Sequence, residues 1–435
     1  MDIAFTRHTL ANGLDVLVHE DRRVPIVAVN IWYHVGSKNE QPGRTGFAHL
    51  FEHLMFEGSA HHDLGYFAPL QQAGGSLNGS TNADRTNYWE VVPTNALELA
   101  LWMESDRMGY LLPALTDSKF RNQRDVVLNE RRQNYENRPY GLAGMAMLAG
   151  LFPPDHPYHW LTIGSPDDLR AATLKDVHTF FQTYYRPPNA SLALAGDIDA
   201  RRALELADAY FGEIPAGEPP PPDHVPALAA RGPVRLVLEA RVELPRLYMA
   251  WRSPAMFADD DATLDLVAEL LSSGKTSRLY RSLVYHDRIA TEVSASQNSR
   301  EIAGFFQVVA TAAPGRSLAE IEGAIARELA AVVDAGPTAA EMERGLAQAE
   351  SHFVFRLQTV GGFGGKSDQL NAYNVFLGDP SYFNEDLARY RKVTAEHIRR
   401  ATAEWLASAA GVLLSVVPRG RADLALPGSR PVPVS

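Results

Sequence analysis

Cysteine is absent from all 435 residues. That excludes disulfides and thiolate chemistry, so any bound metal must rest on histidine and carboxylate. No stretch approaches the ~18 uninterrupted apolar residues of a membrane-spanning helix. Nor is there a Lys/Arg-rich stripe. The formal net charge of −11 favours solubility and argues against a nucleic-acid partner. The opening MDIAFTRHTLANGLDVLVHED lacks both the apolar core of about 7–15 residues and the small-residue cleavage site of a secretory signal. The expectation is a cytoplasmic chain with no membrane attachment, or a periplasmic one if a signal preceded residue 1.

What is present is ordinary globular material. With 46% hydrophobic and 21% charged residues, the chain can bury sizeable cores, and its length predicts two or three domains. The clearest boundary is GEIPAGEPPPPDHVPALAARGP at 212–233, where four consecutive prolines favour extended polyproline geometry. Residues 213–232 are read as a Pro-rich linker between domains 1–212 and 233–435. The halves look like repeats. VPIVAVNIWYHVGS, an alternating strand, runs into the helical GFAHLFEHLMFEG, and NYWEVVPTNALELALWMESDRM is again strand then helix. In the second half LPRLYMAWRSP precedes the helical DDDATLDLVAELLSSG, and GFFQVVATAAPGRSLAEIEGAIARELAAVV repeats the pattern. Matching order at similar spacing predicts an internal duplication. Strands rich in Val, Tyr and Trp beside helices rich in Ala, Leu and Glu predict an α+β fold of two similar domains. Each would be a mainly antiparallel sheet covered by helices.

One helical stretch carries polar groups among its apolar ones. In GFAHLFEHLMFEG, residues 46–58, the positions Phe47, Leu50, Phe51, Leu54 and Met55 recur at helical spacing. His49 and His53 then fall one turn apart on the same face, with Glu52 beside them. Such groups must find partners. Histidines with local hydrogen bonds are one answer, and a metal ion is the other. Two imidazoles at i and i+4 suit zinc, and Glu52 would stand beside a bound water as its base. H-x-x-E-H is the inverse of the commoner H-E-x-x-H order of zinc peptidases. The second half offers DLVAE at the corresponding helix, without histidine, so the trio is not needed to build the fold.

A third ligand is sought in DSKFRNQRDVVLNERRQNYENRP, residues 117–139, which is also helical. Phe120, Val127 and Glu130 share a face, with Gln123 two turns before Glu130. An inward glutamate needs a partner, either a metal or an ion pair with Arg131 or Arg124.

A resemblance runs over essentially the whole chain. HLFEH at 49–53, Glu130 after 76 intervening residues, and the stretches TLANGLDVLVHED, GGSLNGSTNADRTNYWEVVP, RDVVLNERRQ and SRLYRSL resemble one family. It is the inverted-motif zinc peptidases of pitrilysin, insulysin and mitochondrial processing peptidase, and in particular its half-length bacterial members. The resemblance implies one Zn2+ per chain on His49, His53 and Glu130, with Glu52 as general base. It implies that Asn78 in GGSLNGSTN binds the substrate backbone, with Gly79 replacing a usual Ala. The alternative for Asn78 is a turn residue in a Gly/Ser/Asn-rich loop. TNYWEVV is then the candidate edge strand for an extended peptide. Members often carry a second Glu where this chain has Gln123. A charge near the metal is thereby lost, but an amide able to hydrogen-bond a ligand remains. Complete sites also use an Arg and a Tyr to hold the substrate carbonyl, and here Val284 and Thr291 stand in those places. Nearby Tyr285 and Arg288 have the wrong order and spacing. The resemblance therefore implies the zinc-bearing subunit of a heterodimer, whose homologous partner supplies the Arg and the Tyr.

The expected function is a zinc metalloendopeptidase cleaving extended or unfolded peptides in a chamber formed with that partner. Its rivals are a non-catalytic assembly subunit and a dedicated presequence-processing peptidase. VGGFGGKS at 360–367 imitates a phosphate loop, but Val360 stands where the first Gly belongs and a helical stretch precedes it. It is read as a flexible loop. His61 and His62 in SAHHDLG are read as solvated.

Overall fold

The computed structural model describes residues 3–223, 225–228, 232–407 and 411–432. Residues 224 and 229–231 of the expected linker lie outside them. Strands β1 (Thr6–Thr9), β2 (Asp15–Glu20), β3 (Ile26–Tyr33), β4 (Ser76–Thr81), β5 (Thr86–Pro93) and β6 (Ala190–Gly196) form one sheet in the order β1-β2-β6-β3-β5-β4. Strands β7 (Val234–Ala240), β8 (Arg246–Ser253), β9 (Ala290–Asn298), β10 (Gly304–Ala312), β11 (Val412–Pro418) and β12 (Arg430–Pro431) form a second, in the order β12-β7-β11-β8-β10-β9.

Setting aside the outer strands β1 and β12, the two sheets take the same path. The pairs β2–β6 and β7–β11 are parallel, while β6–β3–β5–β4 and β11–β8–β10–β9 are antiparallel throughout. The internal duplication read from the sequence is therefore built into the strand order. Central strands β3 and β6 are buried along almost their whole length, which explains their continuous apolar runs.

One strand assignment is corrected. TNYWEVV is β5, which pairs with β3 on one side and β4 on the other, so it is interior. The edge is β4, whose Gly, Ser and Asn residues read more like a loop. The Asn82 side chain closes the hairpin by accepting from Asp84 N at 2.8 Å and Arg85 N at 2.9 Å. That Asx turn folds a segment of weak strand propensity back onto a strong partner.

The chain folds as two compact units. One gathers Met1–Asn129, Leu161–His224 and His352–Glu385, and the other gathers Glu130–Trp160, Val225–Ser351 and Asp386–Ser435. Each includes a segment from the far side of the Pro-rich stretch. In the first unit, the helix Lys366–Leu377 docks on the sheet through polar groups. Asp368 Oδ1 accepts from Trp32 Nε1 at 2.8 Å, Asn87 Nδ2 at 3.1 Å and Asn30 Nδ2 at 3.2 Å. In the second unit, Arg252 Nε donates to Leu151 O at 2.7 Å, tying the helix Ala143–Leu151 to β8.

Candidate metal centre

His49, Glu52 and His53 lie on the helix Phe47–Leu54. Its apolar stripe is fully used: Phe47, Leu50, Phe51, Leu54 and the following Met55 are at most 4% exposed. Phe51 packs against Phe180 and Tyr185, with ring centroids 5.3 and 5.1 Å away. The remaining face therefore presents the polar trio. The helix is capped by Gly46, whose φ is 90° and on which a Cβ would lie 3.0 Å from Leu169 Cδ2 and 3.1 Å from Ile163 O. Ahead of it, buried Glu40 accepts from Gly46 N at 3.0 Å and Ala48 N at 2.8 Å. An acceptor-only group thus satisfies two amides that a helix start leaves without an intrahelical partner.

Glu130 arrives on the helix Asp117–Arg131, whose inward residues Phe120, Gln123 and Val127 are buried. One ligand atom from each of His49, His53 and Glu130 lies within 4.8 Å of the other two, and all three side chains are half-buried. The two imidazoles stand nearly perpendicular, 4.8 Å between centroids. Two ring nitrogens and a carboxylate oxygen are the donor set of a catalytic zinc site that keeps a position open, so the residues fit that ion. Among the described residues, no other three His, Asp or Glu converge in this way. The two arginines near Glu130 also make ion pairs of their own. Arg131 Nε pairs with Glu136 at 3.0 Å and Arg124 with Asp125 at 3.3 Å.

Around this cluster, Thr81 Oγ1 donates to Glu52 Oε2 at 2.6 Å. The proposed base is thereby fastened to the last residue of the edge strand β4. Gln123 Oε1 lies 3.3 Å from His53 Nδ1, and Gln123 Nε2 donates to Glu57 at 2.5 Å. Asn78 sits exposed in the middle of β4, its Oδ1 accepting from Gly79 N at 2.8 Å. A Cβ on Gly79 would lie 3.0 Å from the Tyr88 ring and 3.1 Å from that of Phe56. The missing methyl thus lets two aromatics press on the edge strand. Behind them, buried Arg107 lies 3.9 Å from the Tyr66 ring and 4.2 Å from the Tyr88 ring, and pairs with Glu104 and Glu90. Burial pushes the Glu90 carboxyl well above its usual range, and the charge of Glu104 adds to the rise.

Sequence reasoning missed Glu40, Glu57 and Thr81, because the bonds that give them roles depend on folding. Two smaller readings change. His61 is not merely solvated, since its Nδ1 bonds Asp106 at 2.5 Å, and His62 keeps a buried Nε2. Just past the glycine-rich loop, at the start of the helix Lys366–Leu377, Lys366 is buried and donates to Asp21 at 2.8 Å, which is no arrangement for a phosphate. Hydrogen bonding from Arg23, then Lys366, holds the Asp21 carboxyl well below its usual range. In the second half, Asp265 opens the DLVAE segment that corresponds to HLFEH. Burial pushes its carboxyl up to about 7, and Tyr390 Oη donates to it at 2.6 Å. Thr291 lies on β9, Val284 in the π-helix Tyr280–His286, and Tyr285 is 68% exposed.

Residues 15–148 match the insulinase family (peptidase family M16), and residues 171–349 match the peptidase M16 inactive domain. The first match contains His49, Glu52, His53 and Glu130, and the second contains none of them. Zinc protease PqqE of Helicobacter pylori is 29% identical over 361 residues, 81% of this chain and 80% of its own. The β subunit of mitochondrial-processing peptidase from Saccharomyces cerevisiae is 26% identical over 226 residues, 52% of this chain and 47% of its own. The crystal structure of a protease from Helicobacter pylori superposes with a TM-score of 0.88 at 25% identity, covering 96% of this chain and all of that one. The periplasmic protease PqqL of Escherichia coli shares the fold, with a TM-score of 0.77 at 18% identity over 98% of this chain and 49% of its own. Among the described residues, no helix is long and apolar enough to cross a membrane. With its duplicated sheets, its His-His-Glu cluster and matches of one family across both halves, the chain belongs to peptidase family M16.

Proposed function

We propose that this chain is a zinc-dependent endopeptidase acting on extended or unfolded peptides held along the free edge of β4. The observation that carries the reading is the convergence of His49, His53 and Glu130 within 4.8 Å, beside a carboxylate that Thr81 ties to the edge strand. Those three residues would hold one zinc ion, which when bound polarises the scissile carbonyl and acidifies water. Glu52 takes the proton of the attacking water and delivers it to the leaving amide nitrogen. Thr81, by donating to Oε2, holds the carboxylate beside the strand that binds the peptide.

Among the described residues β4 has β5 on one side and no strand on the other. An extended peptide can therefore add to it through main-chain hydrogen bonds. Such pairing carries little sequence information, so selection falls on size and flexibility. Asn78 contributes to main-chain binding by exchanging its local bond to Gly79 for the substrate. Val284 and Thr291 supply no cation or phenol for the substrate carbonyl, and a homologous partner subunit provides the Arg and Tyr. The cytoplasm goes with this reading, and the periplasmic relative PqqL supports the other compartment.

Digestion of a mixed peptide pool, by the zinc-loaded chain alone and with homologous chains, tests the proposal. Many cuts in unfolded peptides, lost in Glu52→Gln, are expected. Zinc binding without cleavage in any pairing would favour the non-catalytic subunit, and one narrow cut site would favour the presequence processor.

A further inference from the structure

Gln123 is a buried amide between two groups of fixed character. One end faces Glu57 Oε1 at 2.5 Å and the other faces His53 Nδ1 at 3.3 Å. A carboxylate accepts hydrogen bonds and cannot donate them, so the amide nitrogen must face Glu57 and the amide oxygen His53. That oxygen in turn only accepts. The proton of a neutral His53 must therefore sit on Nδ1, and the lone pair is left on Nε2.

We propose that Glu57 and Gln123 form a positioning pair that sets the tautomer of His53 for metal binding. The inference rests on the reading of His53 as a zinc ligand. Glu57 lies one turn beyond His53, and Gln123 comes from the helix that bears Glu130. The pair therefore joins the two ligand-bearing segments as well as orienting one ring. Without Glu57, the amide has no reason to prefer one orientation. In the flipped state its NH2 would face Nδ1 and favour the tautomer whose Nε2 carries the proton. Partners of this kind, next to a metal-binding imidazole, are typically worth 10–100-fold in metal affinity.

The test is a reciprocal exchange. The zinc dissociation constant is measured by chelator competition on metal-free protein, with the melting temperature of the metal-free form as the folding control. Glu57→Gln should weaken zinc binding by about 10–100-fold. Gln123→Glu should weaken it as well, because two carboxylates then meet across a contact of 2.5 Å. Combining them restores the pairing with its roles exchanged. Glu at 123 accepts from Nδ1–H while Gln at 57 donates to its other oxygen, so affinity should return to near the wild-type value. Merely structural damage would add up in the double variant. As a second readout, 15N shifts of His53 in the metal-free wild type should report the Nδ1–H tautomer, and Glu57→Gln should mix the two. Wild-type zinc affinity in a folded Glu57→Gln variant, or a double variant no better than Gln123→Glu, overturns the inference while the metal site stands. A wild-type chain that binds no zinc overturns both.

Discussion

Glu40 is the residue whose removal should most directly loosen the zinc-motif helix. Its carboxylate is 7% exposed and accepts from Gly46 N at 3.0 Å and Ala48 N at 2.8 Å. Hydrogen bonds to a charged group contribute about 1.5–3 kcal/mol each, offset by the desolvation of the buried carboxylate. Loss of a helix cap typically costs about 1 kcal/mol, and up to about 2. Glu40→Ala also strands two amides, for which the helix has no earlier carbonyl. The net loss expected is about 2–4 kcal/mol, and Glu40→Gln, keeping one acceptor, should lose roughly half as much. The assay is thermal unfolding of the metal-free protein. For a unit of roughly 200 residues, that loss lowers the first transition by about 5–15 °C. Zinc at 100 times its dissociation constant should restore about 2.7 kcal/mol, because His49 and His53 lie on this helix. A Glu40→Ala variant that melts within about 1 °C of wild type would refute the assignment of the cap.

Further outcomes follow from the same geometry. Thr81→Val should leave zinc content unchanged and lower kcat about tenfold, the equivalent of ~1.4 kcal/mol of lost hydrogen bonding to Glu52; unchanged kcat would detach Thr81 from the base. Arg107→Met abandons Glu90 and Glu104 in the interior and should destabilise by about 3–5 kcal/mol at neutral pH. Thermal melts should show part of that loss relieved in acid, where the Glu90 carboxyl, already pushed up by burial, holds its proton. Burial pushes the Asp265 carboxyl from 3.8 to about 7. A raised carboxyl pKa means the folded state binds the extra proton, so this group's contribution is full below about pH 4 and lost as pH rises through about 7. Asp265→Asn should therefore melt higher than wild type at pH 8, by at most roughly 4 kcal/mol, and converge with it near pH 4. Equal differences at both pH values would contradict the buried neutral acid.

Features written in local periodicity were legible in the sequence. The i, i+4 spacing of His49 and His53, the stripe of Phe47, Leu50, Phe51 and Leu54, and the inward face of Phe120, Val127 and Glu130 all follow from helical geometry. The duplication was legible too, because each half repeats its alternation of strands and helices. What escaped depends on contacts between distant segments. Thr81 reaches Glu52 only because a hairpin closed by Asn82 lays β4 beside the motif helix. The resemblance made β5 the expected edge strand, yet the poorer strand former β4 covers it. Asp368 and Asn371 look like surface residues on a polar helix until Asn30, Trp32 and Ser191 meet them across the sheet. No local pattern marks such residues as buried, since their partners are over 100 positions away.

Metal content tests the central claim most directly. Zinc is measured in the purified chain and in His53→Ala, before and after incubation with the metal. The account predicts about one zinc per chain, held by His49, His53 and Glu130 and lost in the variant. A folded wild-type chain that takes up no zinc would contradict it, and would leave the chain to the non-catalytic reading.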